Sequence, residues 1–408
     1  MLGICFAVFI IICWALSFFI KGVSPFNVLL LSMVIYYPQF IFNLNIDLLI
    51  KGLIFLTTIL YILMGKVRKK IFYFISLMGI LIYGISLLNA HFSIDYDFLD
   101  SITAFGSFLM GLMIFCINFS AREKQKVLKE IMFLPVISLI IGIPLSLSGM
   151  ISYLSRDGTA IAGASLETNL SFFGVIGIMA AIILKNKTKY IWYDYFKIIN
   201  ASIVCITLTR GGILASVVLL IPDIFSFLKV SLTKFKYFVL LIDGGILGIV
   251  PMVIVFEKIN QRTFIDGQIN TSGRLEAWNY IISLVKNKWS GNGYGYLKTL
   301  ATDPRLVAFT AAHNEFVRSY FETGILGTLL LLIILAGIFK YILMYPSIRV
   351  KYVITIIFSF LIYSFTDNCI TNFRYWIPFM CICSCLVGLK KIENRGHHVA
   401  KKNDNLLL

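Results

Sequence analysis

Charged side chains are scarce in this 408-residue sequence, at 14% of its residues, and the acidic ones are the rarer kind, with 20 Asp and Glu against 36 Lys and Arg. A soluble globular domain carries about 25% charged residues. The hydrophobic fraction is 59% and the mean hydropathy is +0.89. This composition excludes an ordinary soluble domain, because so much apolar surface needs a solvent other than water, and it predicts an integral membrane protein.

Signature motifs of several enzyme classes are also missing. The sequence contains no H-E-x-x-H, no P-loop and no G-x-S-x-G, so zinc hydrolysis, nucleotide hydrolysis and an elbow-type serine nucleophile have no motif support. The eight cysteines lie almost wholly inside apolar runs, which predicts packing and no disulfide framework. Cys381, Cys383 and Cys385 alternate, and on a helix the first two point about 200° apart, so they cannot converge on one metal ion.

Long apolar runs dominate the sequence. A helix needs about 20 apolar residues to cross the hydrocarbon core of a bilayer. The N-terminal run, Met1 to Ile20, has neither the basic leader nor the cleavage site of a signal peptide, so we expect it to be a retained span. The runs predict an all-α, polytopic transmembrane bundle of about 12–13 spans. The predicted spans are residues 3–20, 25–42, 47–65, 71–89, 102–119, 131–149, 167–184, 197–209, 212–228, 237–256, 323–344, 350–366 and 373–389.

Basic residues cluster on every second loop between these runs. Under the positive-inside rule such loops face the cytoplasm. They hold 23 of the 36 Lys and Arg, so most of the net charge of +16 is explained by topology and no nucleic-acid partner is needed. The C-terminal tail is then cytoplasmic as well. The clusters are 66–70, 122–129, 185–197, 229–236, 340–351 and 390–402.

One loop on the opposite side is much longer than the others. Residues 257–322 are polar, contain glycines and are flanked by spans, so they are the segment able to form an extracytoplasmic subdomain. Loops held by a rigid scaffold are where binding and chemistry usually occur. The predicted organisation is therefore spans 1 to about 10 in 1–256, a large catalytic loop with short helices in 257–322, three further spans in 323–389 and a tail in 390–408.

An amphipathic helix is predicted near the middle of this loop, with Ser272 as its N-cap. Its apolar positions run from Leu275 to Trp289 at helical spacing. Arg274 would then lie in the first turn, where the helix dipole favours an anion and a cation costs a few tenths to about 1 kcal/mol. The guanidinium therefore either extends into water or faces an anionic ligand.

Two further residues face outward in positions that suggest chemistry. Arg210 lies in Thr207-Leu-Thr-Arg-Gly-Gly212 between two apolar runs, where it either marks a helix end at a glycine turn or binds a phosphate. His313, in Ala312-His313-Asn314-Glu315, is one of only four histidines. An imidazole can accept a proton from a hydroxyl at neutral pH, although a single histidine is more often a structural hydrogen-bonding group.

Weaker candidates are two pairs of aspartates. Asp95 and Asp97 form a D-x-D in a short outer loop, a pattern that binds metal in some glycosyltransferases but arises easily by chance. Asp223 and Asp243 lie in or beside spans, where helix capping or hydrogen bonding within the bundle is favoured over a proton relay.

The loop and its flanks resemble the O-antigen polymerase and O-antigen ligase superfamily. The resemblance rests on Gly273-Arg274-Leu275-Glu276-Ala277-Trp278, on Gly291-Asn-Gly-Tyr-Gly295, and on His313-Asn314 followed after nine residues by Gly324-Ile-Leu-Gly-Thr328. The Thr-Arg-Gly-Gly stretch at Arg210 is also similar, so the resemblance covers about residues 165–366. An apparent count of thirteen spans differs from the twelve typical of the ligases.

The resemblance implies a GT-C-like, metal-independent glycosyltransferase without a cofactor. Its donor would be a glycan on undecaprenyl diphosphate at the periplasmic face of the bacterial inner membrane. Arg210 and Arg274 would hold the diphosphate, and His313 would be the general base on the acceptor hydroxyl or would orient it. Asn314, Trp278, Tyr294 and Arg318 are the predicted substrate-binding residues.

Three functions are considered: a polymerase and a ligase, which differ in their acceptor, and a transporter. A polymerase transfers the glycan to another lipid-linked repeat, which the Lys-, Ile- and Phe-rich composition favours weakly, and a ligase transfers it to lipid A core. A flippase or other transporter would distribute its charged residues along a central cavity, whereas here the polar residues concentrate in one loop. We therefore expect a polymerase acting on lipid-linked donor and acceptor in the bilayer, with a flippase and a chain-length regulator as partners.

Overall fold

The computed structural model describes most of the chain between residues 2 and 388. The described residues are 2–20, 23–35, 44–90, 92–93, 96–155, 158–233, 257, 264–265, 268–269, 273–303, 305–306 and 312–388. Several predictions lie outside them: the tenth span at 237–256, the tail 390–408, and single residues at His91, Asp95, Asp243 and Ser272.

Thirteen α-helices form nearly all the regular structure of the described residues. Two short antiparallel pairs accompany them, β1 (Leu154–Ser155) with β2 (Ala160–Ile161) and β3 (Phe264–Ile265) with β4 (Gln268–Ile269), as does one 3₁₀ helix, Tyr296–Thr302. The α-helices are α1 Leu2–Ser17, α2 Pro25–Ser32, α3 Ile46–Leu63, α4 Lys69–Leu87, α5 Phe98–Cys116, α6 Ala121–Leu147, α7 Glu167–Thr188, α8 Trp192–Ile206, α9 Arg210–Thr233, α10 Arg274–Ser283, α11 Glu315–Met344, α12 Val350–Thr366 and α13 Phe373–Leu386.

Apolar composition and length confirm an all-α, polytopic membrane fold. Seven of the described helices, α3 to α7, α9 and α11, are long and apolar enough to cross a bilayer. Twelve of the thirteen predicted spans overlap a helix. Some helices are longer than the spans predicted for them. A helix begins at its cap and its first turns can be polar, so the apolar run can start later than the helix.

The start of α6 shows this difference. The apolar run predicts a span from residue 131, whereas the helix begins at Ala121. Ser120 and Glu123 form a capping box, in which Glu123 N donates to Ser120 Oγ at 3.3 Å and Ser120 N donates to Glu123 Oε2 at 2.8 Å. The helix thus extends through the basic segment that flanks the apolar run.

Helices α7 and α13 form the centre of the bundle. In α7, 89% of an apolar stretch of 18 residues is buried, far more than in the other long helices, so this helix is surrounded by protein. Every residue of α13 is buried, and its Trp376 packs so closely against α5 that a Cβ on Gly111 would overlap the indole ring. The free cysteines Cys381, Cys383 and Cys385 are buried in this helix, in agreement with a packing role.

Four loop segments lie at one end of the bundle, which we call the inner end (residues 64–68, 117–120, 345–349 and 387–388). Backbone hydrogen bonds join them in two pairs, and Ser384 Oγ links the pairs by donating to Ile117 O at 2.6 Å. Arg68 N donates to Cys116 O at 2.9 Å, and Gly388 N donates to Tyr345 O at 2.7 Å. Basic clusters lie in or beside these segments. The described loops at the basic clusters 66–70, 122–129 and 340–351, three of the six that the charge pattern predicts to be cytoplasmic, therefore lie together.

The opposite end, which we call the outer end, contains residues 90, 92–93, 96–97, 162–166, 273–303, 305–306, 312–314 and 367–372. Residues of the large loop form a small apolar core of their own there. α10, the 3₁₀ helix and the start of α11 contribute to it, and its buried members are Ala277, Ile281, Leu297, Leu306, Ala312 and Phe321. The apolar spacing predicts a helix that continues to Trp289, but α10 ends at Ser283, so Val285 and Trp289 lie outside the observed helix.

Candidate functional site

His313 contacts a carboxylate that lies 54 residues further along the chain. Its Nδ1 is 3.1 Å from Oδ1 of Asp367, the residue that follows α12. The Asp367 side chain is 7% exposed and the His313 side chain 27%, so the imidazole is accessible while its partner is not. His313 also has a φ of +47°, a left-handed conformation that is uncommon for a non-glycine residue. The backbone therefore holds the imidazole in a constrained position over Asp367.

Arg274 reaches the same end of α12. Its Nη1 donates to the carbonyl oxygen of Thr366 at 2.5 Å. Gly273, which precedes it, has a φ of +70°, and α10 begins directly at the arginine. The half-buried Arg274 thus contacts Thr366, and the next residue in the chain is Asp367, whose carboxylate contacts His313.

Arg210 is the third predicted residue at this position. It is half-buried and begins α9, directly after the turn at Leu208, whose φ is +52°. The next residue, Gly211, lies against Thr366, because a Cβ built on the glycine would overlap the threonine side chain. The glycines that the sequence predicts to form a turn lie instead in the first turn of α9, and the absence of a Cβ on Gly211 lets α9 approach α12 and brings the Arg210 backbone beside Thr366.

Two of the predicted substrate-binding residues stabilise the backbone around His313. Trp278 Nε1 donates to the carbonyl of Ala312 at 2.6 Å, which ties α10 to the residue before the histidine. Asn314 is the N-cap of α11, and its Oδ1 accepts from Phe316 N at 2.9 Å and from Val317 N at 3.1 Å. Both residues are therefore in place to position His313.

The other two predicted substrate-binding residues belong to a buried network. Arg318 is 4% exposed and donates to Glu315 Oε2 at 2.9 Å and to Glu322 Oε2 at 2.5 Å. Tyr294 is 3% exposed and lies under the same guanidinium, 5.4 Å from the Arg318 Cζ to the ring centroid. Burial raises the pKa of the Tyr294 phenol, so the network holds it in the neutral form.

Glu315 connects this network to the His313 cluster. Its Oε1 accepts from Ile370 N at 2.6 Å and from Thr371 N at 2.9 Å. The segment after Asp367 is therefore fixed to the first turn of α11, directly after His313 and Asn314. Arg318 and Tyr294 support the site from the protein interior, and their role as substrate ligands stays a prediction.

The two glycine motifs pack against each other. Gly324 has φ +65° and ψ −166°, which kinks α11, and a Cβ on it would overlap the backbone of Trp289. Gly291 has φ +71°, and its Cβ would overlap the backbone of Glu322. Across this contact Gly293 N donates to Glu322 O at 2.9 Å and Ile325 N donates to Lys288 O at 2.8 Å. Only glycine permits this approach, which joins the loop to the bundle.

The weaker candidates have structural partners where the structure describes them. Asp97 is the N-cap of α5 and accepts from Asp100 N at 2.7 Å. Asp223 pairs with Lys197 and accepts from Tyr352 Oη at 2.8 Å, which is hydrogen bonding within the bundle.

Sequence reasoning missed Asp367, Glu315 and Glu322 as parts of the site. Each is an acidic residue next to an apolar run in a chain with few acidic residues, and that scarcity is the signal that could have identified them. The sequence could not identify His313 as the partner of Asp367, because the two residues are 54 positions apart.

Comparison with known proteins agrees with the motifs. Residues 195–332 match the family model described as O-antigen ligase. The matched segment contains Arg210, Arg274, His313 and both glycine motifs. No curated protein sequence matches the chain. The family match confirms the resemblance to the O-antigen polymerase and ligase superfamily.

Proposed function

We propose that this protein is an O-antigen polymerase that transfers a glycan from undecaprenyl diphosphate to another lipid-linked repeat unit at the periplasmic face. The family match and the apolar helices support the broader statement, a multi-pass membrane glycosyltransferase of surface-polysaccharide synthesis that is either a polymerase or a ligase. The donor, the acceptor and metal independence are parts of the proposal.

The observation that carries the proposal is the convergence of three segments on the C-terminal end of α12. His313 contacts Asp367, Arg274 donates to Thr366, and Arg210 precedes the glycine that packs on Thr366. These three residues are spread over about a hundred residues of sequence, yet the His313–Asp367 pair, the Arg274 guanidinium and the backbone beside Arg210 all lie at this end of α12.

The His313–Asp367 pair suits general base catalysis. A carboxylate that accepts from Nδ1–H fixes the imidazole tautomer, so Nε2 is the nitrogen that takes up a proton. In the proposed reaction Nε2 takes the proton of the acceptor hydroxyl while that oxygen forms a bond to the anomeric carbon. Asp367 then stabilises the imidazolium until the proton passes to solvent.

The two arginines suit the leaving group. The bond between the anomeric carbon and the diphosphate oxygen breaks, the electron pair stays on the diphosphate, and negative charge increases there. Guanidinium groups placed in advance stabilise such charge and bind phosphate oxygens in a bidentate manner. We assign this role to Arg210 and Arg274, with no metal ion in the reaction.

A ligase is the second candidate. The specific observation in its favour is the description of the matching family, which is that of a ligase. Donor chemistry is the same in both cases, so the residue roles above apply to either. In both cases we expect the outer end to face the periplasm and the C-terminus the cytoplasm, and for a polymerase we expect a flippase and a chain-length regulator as partners.

Point variants test the residue roles. We expect His313→Ala to lower the transfer rate by about 10²–10⁴-fold, the usual contribution of a general base, and Arg274→Ala or Arg210→Ala to abolish long chains. Surface polysaccharide is examined on a gel, with membrane levels of each variant measured in parallel. Arg305→Ala is the matched control, because this arginine lies in the same loop, is 69% exposed and pairs with Asp303. Unchanged chain length in correctly inserted His313→Ala protein would show that the assignment is wrong.

Deletion of the gene separates the two acceptors. Lipid A core that carries a single repeat indicates a lost polymerase. Bare core together with accumulated lipid-linked polymer indicates a lost ligase.

A further inference from the structure

A cavity of about 380 Å³ lies at the inner end, away from the His313 cluster. It is formed where α6 begins and where α7 and α13 end, beside the segment between α11 and α12. Its volume falls in the range of about 300–1,000 Å³ that is usual for ligand pockets. Its lining includes two lysines, Lys124 and Lys187, and three apolar residues, Leu128, Leu184 and Val387.

The lysines have few partners within the chain. Lys124 is 6% exposed, and its Nζ donates to the carbonyl of Val387 at 2.8 Å, which uses one of three N–H groups. Lys187 lies in the last turn of α7 and is exposed. Among the residues that the structure describes, the ionisable groups that act on Lys124 are Cys385, Arg68 and Lys187, none of which is a carboxylate.

The carboxylates on neighbouring elements have other partners. Glu123 accepts from Ser120 N and from Tyr61 Oη, the latter at 2.9 Å, and Asp194 pairs with Lys185 and Lys197. Over the part of the chain that the structure describes, no salt bridge includes Lys124, Lys187 or Arg68.

Burial of a cation is costly unless an anion pairs with it. Arg68 lies close by, where its Nη1 donates to Phe115 O at 2.6 Å and its Nη2 to Ser384 O at 3.1 Å. Carbonyl oxygens thus solvate the cations but do not neutralise them. The described residues thus give the cavity an excess of positive charge beside an apolar wall.

We propose that this cavity binds the phosphate group of an anionic phospholipid from the leaflet at the inner end. Basic pockets between transmembrane helices on the cytoplasmic side are suited to phosphate headgroups. Lys187 would meet the phosphate at the entrance and Lys124 at the wall, while Leu128, Leu184 and Val387 contact the glycerol backbone and the first acyl carbons. Free phosphate shares the charge but would make no use of the apolar wall.

The test uses the full-length protein purified in detergent. Phosphatidylglycerol, phosphatidylcholine and inorganic phosphate are added separately, and bound lipid is counted by native mass spectrometry while the thermal midpoint is recorded. We expect preferential retention of phosphatidylglycerol over phosphatidylcholine, and about a tenfold loss of phosphatidylglycerol affinity in Lys124→Gln/Lys187→Gln. Lys187→Gln alone should show a smaller loss, and because Lys187 is exposed this variant should fold normally.

Lys126→Gln/Lys189→Gln is the matched control. It removes the same number of charges from the ends of the same two helices, at exposed positions that do not line the cavity. Three results would overturn the proposal: an equal loss in this control, no preference for phosphatidylglycerol, or displacement of the lipid by inorganic phosphate, which would assign the site to free phosphate. Because binding is measured without glycan transfer, none of these results depends on the proposed function.

Discussion

At the outer end of the bundle Arg318 lies between two buried carboxylates and the buried Arg374 pairs with Asp47 at 2.7 Å, whereas at the cavity of the inner end the buried Lys124 donates to a carbonyl oxygen. Both arrangements keep a cation away from water. Over the described residues, the outer arrangement pairs the cation with a carboxylate and the inner arrangement does not. The difference indicates which cations hold the fold together and which remain able to attract a ligand.

Within the outer end, two arginines lie in different surroundings. Arg318 is enclosed by Glu315 and Glu322, while Arg274, on the other side of the Glu315 contact, donates to a carbonyl oxygen. The enclosed network is suited to support. Arg274 belongs to the proposed diphosphate site, because a guanidinium can bind phosphate oxygens in a bidentate manner.

The largest effect is expected from Arg318→Met. Removing one partner from a buried ion pair leaves uncompensated charge and costs about 3–5 kcal/mol. Here two carboxylates lose their counter-ion, so we expect a much lower thermal midpoint in detergent and a low level in the membrane. Arg305→Met is the control, since that residue is exposed and its loss should not shift the midpoint. A stable Arg318→Met protein would mean that the enclosed network does not hold the loop in place.

Gly324→Ala should have the next largest effect. The residue combines φ +65° with ψ −166°, and its added Cβ would overlap the Trp289 backbone. Such a conformation costs a non-glycine residue about 1–3 kcal/mol. We expect loss of glycan transfer together with a lower thermal midpoint, while phosphatidylglycerol retention at the inner end is unchanged.

Gly106→Ala is the control for that prediction. Gly106 lies within α5, and a Cβ there would meet nothing within 4 Å. Alanine favours a helix over glycine by about 1 kcal/mol, so this variant should be as stable as the parent protein or more so. If both variants behave alike, the kink is not the element that fixes the loop to the bundle.

Lys124→Met should cost less than Arg318→Met, about 1–2 kcal/mol. The change removes a charged hydrogen bond to Val387 O, which is worth about 1.5–3 kcal/mol, but it also removes a buried cation without a carboxylate. The thermal midpoints of the two variants, measured in the same detergent, give the comparison directly. A larger loss for Lys124→Met would show that the inner cations carry the stability of the fold.

The sequence predicts the helices better than it predicts their contacts. Apolar runs locate the spans because the hydrocarbon core imposes a length and a composition on each helix. They place the starts of α6 and α11 too late, since capping by Ser120 and Asn314 and the burial of polar first turns are invisible to hydropathy. For the site, the sequence identifies the cations and the histidine as out of place in outward loops. It cannot identify Thr366 and Asp367 as their meeting point, because that contact depends on how α9, α10 and α12 pack.

Variants of Asn314 distinguish a positioning role from substrate binding, and they should have the smallest effect on stability. As the N-cap of α11 it accepts from two backbone N–H groups, and Asn314→Ala should lose about 1 kcal/mol of stability. Asn314→Ser retains a capping oxygen but lacks the amide N–H₂ group, so it should keep both the thermal midpoint and the transfer rate if the residue only positions His313. A normal midpoint with a large loss of transfer in Asn314→Ser would instead assign the amide to the substrate, and the boundary between the supporting network and the reacting site would then pass through Asn314.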